Sequence, residues 1–151
     1  MLMKKKVKNK VIVGIPTKAI CNVTGVKQST FSTWKMKRLI FPSIRENAGR
    51  GGDLWSFGDL VEVKTIVKLK DMGQSIQKIR KVVSWLREHG YSLGSVILRV
   101  AGDTVEAFTD EGLAWDVLKR QGQGVFVFWQ GIVDSAKSEY ETYKVELKQA
   151  A

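Results

Sequence analysis

Enzymatic or metal chemistry needs a nucleophile, a base or a ligand set held at a defined spacing, and this chain offers few such groups. It contains one histidine, His89, and one cysteine, Cys21. An internal disulfide needs two thiols, and a zinc site of the usual kind needs about four Cys or His ligands. Cys21 therefore reads as a small buried hydrophobe. The carboxylates of Asp103, Glu106, Asp110, Glu111 and Asp116 cluster in sequence. No two of them sit in an acid/base or metal-binding motif, and they read as a solvated face. Gly122 and Gly124 precede an apolar run instead of joining a strand to a helix, so they read as a turn and not as a nucleotide loop. These residues argue against an enzyme and imply neither a cofactor nor a metal.

The chemistry that the chain does offer is the binding of a polyanion. Residues 1–89 hold 19 Lys and Arg against 6 Asp and Glu, a net of +13, whereas residues 90–151 hold 6 against 9, a net of −3. A concentrated positive half is the electrostatic footprint of nucleic-acid binding. Its centre is residues 24–38, which open on a turn at Gly25. They continue as a segment of about residues 27–37 with a polar, basic outer face and an apolar back of Val26, Phe31 and Trp34. Gln28, Ser29, Thr30, Ser32 and Thr33 are the candidates for reading base edges, with Lys35 and Arg38 nearer the phosphates. Lys18, Lys27, Lys37, Arg45 and Arg50 complete the set of candidate DNA-binding residues. Short hydroxyl side chains discriminate weakly, so DNA shape and the pairing of two subunits on two half-sites must supply part of any specificity.

Such a segment has to be held by its neighbours. The length suits one domain, or a small domain with an appended subdomain. Residues 1–10 are Lys-rich and lack an apolar pattern, so they read as a solvated tail or as a basic arm on phosphates. Residues 11–15 look like an extended lead-in. Pro16 starts a first helix with Ala19, Ile20 and Val23 inward, and Gly25 ends it. The second helix follows, so that the pair forms a helix-turn-helix pattern. Leu39, Ile40, Phe41 and Pro42 leave it as an extended run. A Gly- and charge-rich loop at residues 45–53 follows, and Leu54, Trp55, Ser56 and Phe57 return. This predicts a small hairpin with a basic tip, a wing, that sets Arg45 and Arg50 near phosphates. Trp34, Phe41, Trp55 and Phe57 are expected to pack between the recognition helix and the wing. Ser56 and Asp59 cap a third helix to about Met72, with Leu60, Val63, Ile66, Val67 and Leu69 inward. Ser75 caps a fourth, to about His89, with Ile79, Val82, Val83 and Leu86 inward.

In order and spacing, residues 15–87 resemble the MerR-type winged helix-turn-helix family. The resemblance rests on Gly25-Val26, Ser29-Thr30-Phe31, Trp34, Leu39-Ile40-Phe41-Pro42, Arg45, Trp55-Ser56-Phe57 and Asp59-Leu60. It continues through Leu69, Met72-Gly73-Gln74-Ser75-Ile76 and Ile79-Arg80. It implies a recognition helix in the major groove, a wing along the backbone and a dimer. The metal- and drug-sensing branch continues its fourth helix into a long dimerisation helix. Here Gly90 stops that helix and no cysteine pair follows, so metal sensing is not expected.

Residues 91–151 are patterned differently. Val96 to Val100 and Thr104 to Phe108 read as a hairpin. Residues 110–119 read as a short helix or turn, residues 125–129 as a strand, and residues 132–148 as a final helix with a stripe of Ile132, Ala136, Tyr140, Tyr143 and Leu147. This tail resembles that of antitoxin-type MerR-like regulators. The expected fold is therefore α+β. A basic tail (1–10) leads into a MerR-like winged helix-turn-helix domain of four helices and a small wing hairpin (11–90). A β-hairpin/helix/strand/helix subdomain (91–151) for dimerisation or partner binding follows.

The function expected is sequence-specific binding of double-stranded DNA by a transcriptional regulator, as a homodimer. One alternative is an antitoxin-type protein whose tail holds a toxin partner while the winged helix autoregulates the operon. Another is an excisionase-like architectural protein. RNA or single-strand binding fares worse, because the aromatic residues fall at inward positions. No apolar run approaches the roughly 18 residues that span a bilayer, and Val11, Ile12 and Val13 are too short for a signal-peptide core. A cytoplasmic protein with no membrane partner is expected.

Overall fold

The computed structural model describes residues 10–46, 52–93, 97–101, 104–108, 114–116, 125–127 and 129–149. The chain opens with strand β1 (Lys10–Pro16), helix α1 (Thr17–Thr24) and helix α2 (Gln28–Met36). Pro16 sits just ahead of α1 with φ −73° and ψ 155°, where its missing N–H costs nothing. Gly25, at φ 74°, enters the left-handed region and returns its N–H to the Cys21 carbonyl, which ends α1 and sets up the turn into α2.

Strand β2 (Leu54–Trp55) is followed by helices α3 (Phe57–Asp71) and α4 (Ile76–Glu88). Ser56 and Asp59 form a reciprocal capping box at the start of α3, and the Ser75 hydroxyl accepts the Lys78 N–H at the start of α4. The expected inward residues of both helices are buried, except that Val67 is only half-buried. They join Ile15, Ile20, Phe31, Trp34, Leu39, Ile40 and Trp55 in one core. Each such side chain contributes about 1.5–3 kcal/mol on burial. Cys21 lies in this core, and burial pushes its thiol pKa up.

The expected first strand of the wing hairpin does not form. Leu39 and Ile40 turn into the core directly after α2, and Pro42 is buried and has no N–H to offer a ladder. The loop is closed instead by a single bridge, Arg45 to Leu54, with N–H···O distances of 3.2 and 2.8 Å. The returning strand is shorter than expected, because Phe57 already belongs to α3. It pairs with β1, Ile15 opposite Trp55 and Pro16 opposite Leu54. Gly14 makes this approach possible: a Cβ there would stand 3.0 Å from Leu54 Cβ and 3.2 Å from the Trp55 carbonyl oxygen.

In the tail, β3 (Ile97–Ala101) and β4 (Thr104–Phe108) form the expected antiparallel hairpin. Ala114–Asp116 is a strand, β5, on the far side of β4, where a helix or turn was expected; Trp115 suits a strand as well as a helix stripe. β6 (Val125–Val127) pairs with β3 and completes a four-stranded antiparallel sheet in the order β5-β4-β3-β6.

Helix α5 runs over Trp129–Tyr143, earlier at both ends than expected. The chain then changes to strand β7 (Val145–Gln149), which pairs antiparallel along β1 from Lys10↔Gln149 to Gly14↔Val145. Tyr143 and Leu147 keep a helical spacing from Tyr140, but Val145 and Leu147 also alternate, and the open edge of β1 decides between the two periods. The first sheet is thus β2-β1-β7. α5 packs on α3, placing Val133 and Ala136 in the core, setting Phe57 against Tyr140 edge to face at 5.9 Å, and joining Glu139 to Lys64 in an ion pair.

Candidate nucleic-acid interface

Helix α2 owes its exposed face to the two aromatics on its back. Phe31 meets Trp55 edge to face at 4.8 Å, and Trp34 is buried with Lys70 Nζ 5.6 Å from its ring centre. At 100° per residue, Ser29, Ser32, Thr33 and Met36 fall on the side opposite Phe31 and Trp34, and all four are exposed. Gln28 is exposed at one flank; Thr30 is half-buried at the other, in a groove shared with Lys27 and Lys70. The Thr33 hydroxyl donates to the Ser29 carbonyl at 3.1 Å.

The basic candidates separate by their surroundings. Lys18 on α1, Lys27 just ahead of α2, and Lys37 and Arg38 just behind it are exposed. Lys35 is half-buried and paired with Asp53 at 2.5 Å, tying the helix to the returning limb of the loop. Arg38 pairs with Glu46 at 3.3 Å across the other limb. Arg45 is half-buried and donates to the Gly52 carbonyl at 3.2 Å. Arg50 and the loop tip at residues 47–51, like the Lys-rich residues 1–9 and the Gly122–Gly124 turn, lie outside the described residues. Between α2 and the loop runs a groove of about 450 Å³, with Ser32, Lys35, Met36 and Arg38 on one wall and Glu46 and Asp53 on the other.

Three residues fasten this surface through partners far along the chain. Trp55 Nε1 donates to Thr17 Oγ1 at 2.8 Å, joining β2 to the start of α1. Asp59 Oδ2 accepts the Ser56 N–H at 2.8 Å and also the N–H and hydroxyl of Ser43, at 2.9 and 2.7 Å, so the cap of α3 also holds the chain leaving α2. Arg87, on α4, reaches back to the end of α2. There Arg38 adopts φ 58°, a strained left-handed conformation for a residue with a side chain. Arg87 donates to the carbonyls of Arg38 and Leu39 at 2.7 and 2.9 Å, holding the chain just past α2. Its guanidinium carbon lies 4.7 Å from the Phe41 ring centre. It also contacts Glu62 at 3.3 Å. Burial, with the Asp59 carboxylate adding to it, pushes the Glu62 pKa up to about 6 against the pull of Arg87.

The aromatic packing differs in part from expectation. Trp55 does face α2. Trp34 lies beneath Lys70 of α3, Phe41 is 42% exposed beneath Arg87, and Phe57 meets α5. Met36, 84% exposed, was not among the expected readers, although the helical spacing 29–33–36 places it there. Among the described residues, no group of His, Cys, Asp and Glu could hold a metal ion, and no helix is long and apolar enough to cross a membrane.

Two helices joined by a glycine turn, the second presenting its outer face while its aromatic back is buried, define a helix-turn-helix protein. Residues 15–86 match the family model described as MerR HTH family regulatory protein, so this stretch of the chain is similar to the helix-turn-helix unit of that family. An uncharacterized HTH-type transcriptional regulator of Mycobacterium bovis is 35% identical over 117 residues, 76% of this chain and 52% of that protein. Uncharacterized HTH-type transcriptional regulators of two Mycobacterium tuberculosis strains align with the same figures. The chain thus spans about half the length of these relatives.

Proposed function

We propose that this chain is a sequence-specific regulator of transcription that binds double-stranded DNA as a homodimer, with α2 in the major groove and the 45–54 loop acting as a wing along the phosphates. The observation that carries this reading is the face of α2: Gln28, Ser29, Ser32, Thr33 and Met36 are exposed while Phe31 and Trp34 are buried, with Lys18, Lys27, Lys37 and Arg38 also exposed. The names of the mycobacterial relatives agree with it. Lys and Arg release counterions from phosphates, so affinity falls steeply with salt, and the readers act only once the phosphate contacts have set the register.

The test is a mobility-shift titration of the full chain against its own upstream DNA and a scrambled duplex at several salt concentrations. The expected result is a salt-sensitive shift, tighter on the upstream DNA. A folded protein that shifts neither duplex at low salt sinks the proposal. A second role, protein binding by the tail, is favoured by the charge of residues 90–151, a net of −3, and by a four-stranded sheet that lies beyond the residues matching the family. A toxin encoded beside this chain is one such partner, and co-purification of the two neighbouring products tests it.

A further inference from the structure

The reading face is not uniformly polar. Met36 is 84% exposed, on the side of α2 turned away from the core, and stands one turn beyond Thr33. The Thr33 hydroxyl donates its proton to the Ser29 carbonyl, so towards a base edge the side chain offers only an accepting oxygen and its methyl. The two therefore make an apolar pair at i and i+3 on a face whose other members are Ser29 and Ser32. The serines are short, whereas Met36 is long and unbranched, with a polarisable sulfur. Lys35, the neighbouring long side chain, is held by Asp53. Gln28 is long but polar and stands at the flank, and Lys37 and Arg38 beyond the helix are charged, so Met36 is the side chain of this face with reach and neither charge nor a strong hydrogen-bonding group.

In the major groove, the apolar feature of a base edge is the C5-methyl of thymine. We propose that Met36, with the methyl of Thr33, is a specificity-determining contact to a thymine methyl group. This rests on the assignment of α2 as the reading helix. It assigns discrimination to a residue pair whose hydroxyl chemistry alone would not supply it, and it commits to one feature of the site: a thymine facing the C-terminal half of α2.

The experiment takes the duplex that the full chain selects from a random pool and replaces each thymine in turn with deoxyuridine, which lacks only the methyl. The expected result is one position per half-site where wild-type affinity falls about 3- to 5-fold, the worth of one buried methyl group. Met36→Ala binds the thymine and uracil duplexes equally at that position, and Met36→Leu keeps part of the difference. Because Met36 is exposed and alanine favours helix, the fold is retained, as circular dichroism will show. If wild type and Met36→Ala respond alike at every thymine, the methyl contact is overturned while the DNA reading stands. If the wild-type chain binds no duplex at low salt, the DNA reading itself falls, and the inference with it.

Discussion

Arg87→Met keeps an aliphatic stem and removes the fork that fastens the end of α2. The Arg38 and Leu39 carbonyls lose their donors at 2.7 and 2.9 Å, and Glu62 loses its counter-ion at 3.3 Å. A hydrogen bond to a charged group contributes about 1.5–3 kcal/mol. The three contacts do not add at that rate. Arg38 is exposed, so water recovers part of its bond. Glu62, whose pKa burial already raises to about 6, takes a proton instead of remaining a stranded charge. The net cost is therefore about 2–4 kcal/mol. For a chain of this length, that lowers Tm by about 5–15 °C. Arg87→Lys retains the charge without the planar fork and falls between. Urea unfolding followed by tryptophan fluorescence and circular dichroism measures both variants. A loss below about 0.5 kcal/mol for Arg87→Met at unchanged m-value, the size of an ordinary surface substitution, would falsify the claim that Arg87 fastens the helix end.

Glu62 and the two lysines give two further expectations. The Glu62 pKa is raised, so the folded protein holds that proton more tightly than the unfolded chain. The stability this contributes is full below the ordinary value of 4.5 and is lost as pH rises through about 6. Glu62→Gln removes it: between pH 7.5 and pH 5, wild type gains about 1–2 kcal/mol relative to the variant, and parallel urea curves at the two pH values show the opposite trend if the carboxylate is instead stabilised by Arg87. Lys37 and Lys35 separate by salt. Lys37→Ala lowers the slope of log affinity against log salt by about 0.9, one phosphate's worth, whereas Lys35→Ala lowers it less, because Asp53 already neutralises that ammonium. Anisotropy titrations at four salt concentrations distinguish the two, and equal changes mean that the Lys35–Asp53 pair opens on DNA.

What could be read in the sequence was local. Gly25, the Ser56 and Asp59 box, Ser75 and the stripes of α3 and α4 act within a few residues of where they stand, so residue order alone specifies them. What could not be read was decided by partners far along the chain. β7 takes its conformation from β1, more than a hundred residues earlier, and this ends α5 at Tyr143. β2 pairs with β1 and not with residues 39–42, because Gly14 admits it and Leu39 and Ile40 are drawn into the core. In the candidate site, the outward face of α2 followed from Phe31 and Trp34. The engagement of Lys35 by Asp53 and of the Arg38 carbonyl by Arg87 did not, since opposite charges and free carbonyls occur throughout a basic chain and only the fold pairs them.

The contacts that hold α2 converge on α3. Asp59 holds Ser43 just beyond α2, Glu62 contacts the arginine that holds the chain past its end, Lys70 covers Trp34, and Lys64 on the same helix is paired with Glu139 of α5. Helix α2 is therefore a fixed part of the core, and under the proposed function what it can discriminate is set by its outward side chains. Those are few: a glutamine at the flank, two serines, a threonine whose hydroxyl donates to its own backbone, and a methionine. At about 1–3 kcal/mol for each mismatched base pair, a face of this size distinguishes a handful of positions. That is far short of what one site among the millions of competing positions in a genome requires. Under the proposed function the missing discrimination has to come from a second copy on a second half-site. Under that proposal the burden of specificity falls on how far apart two copies of α2 are held.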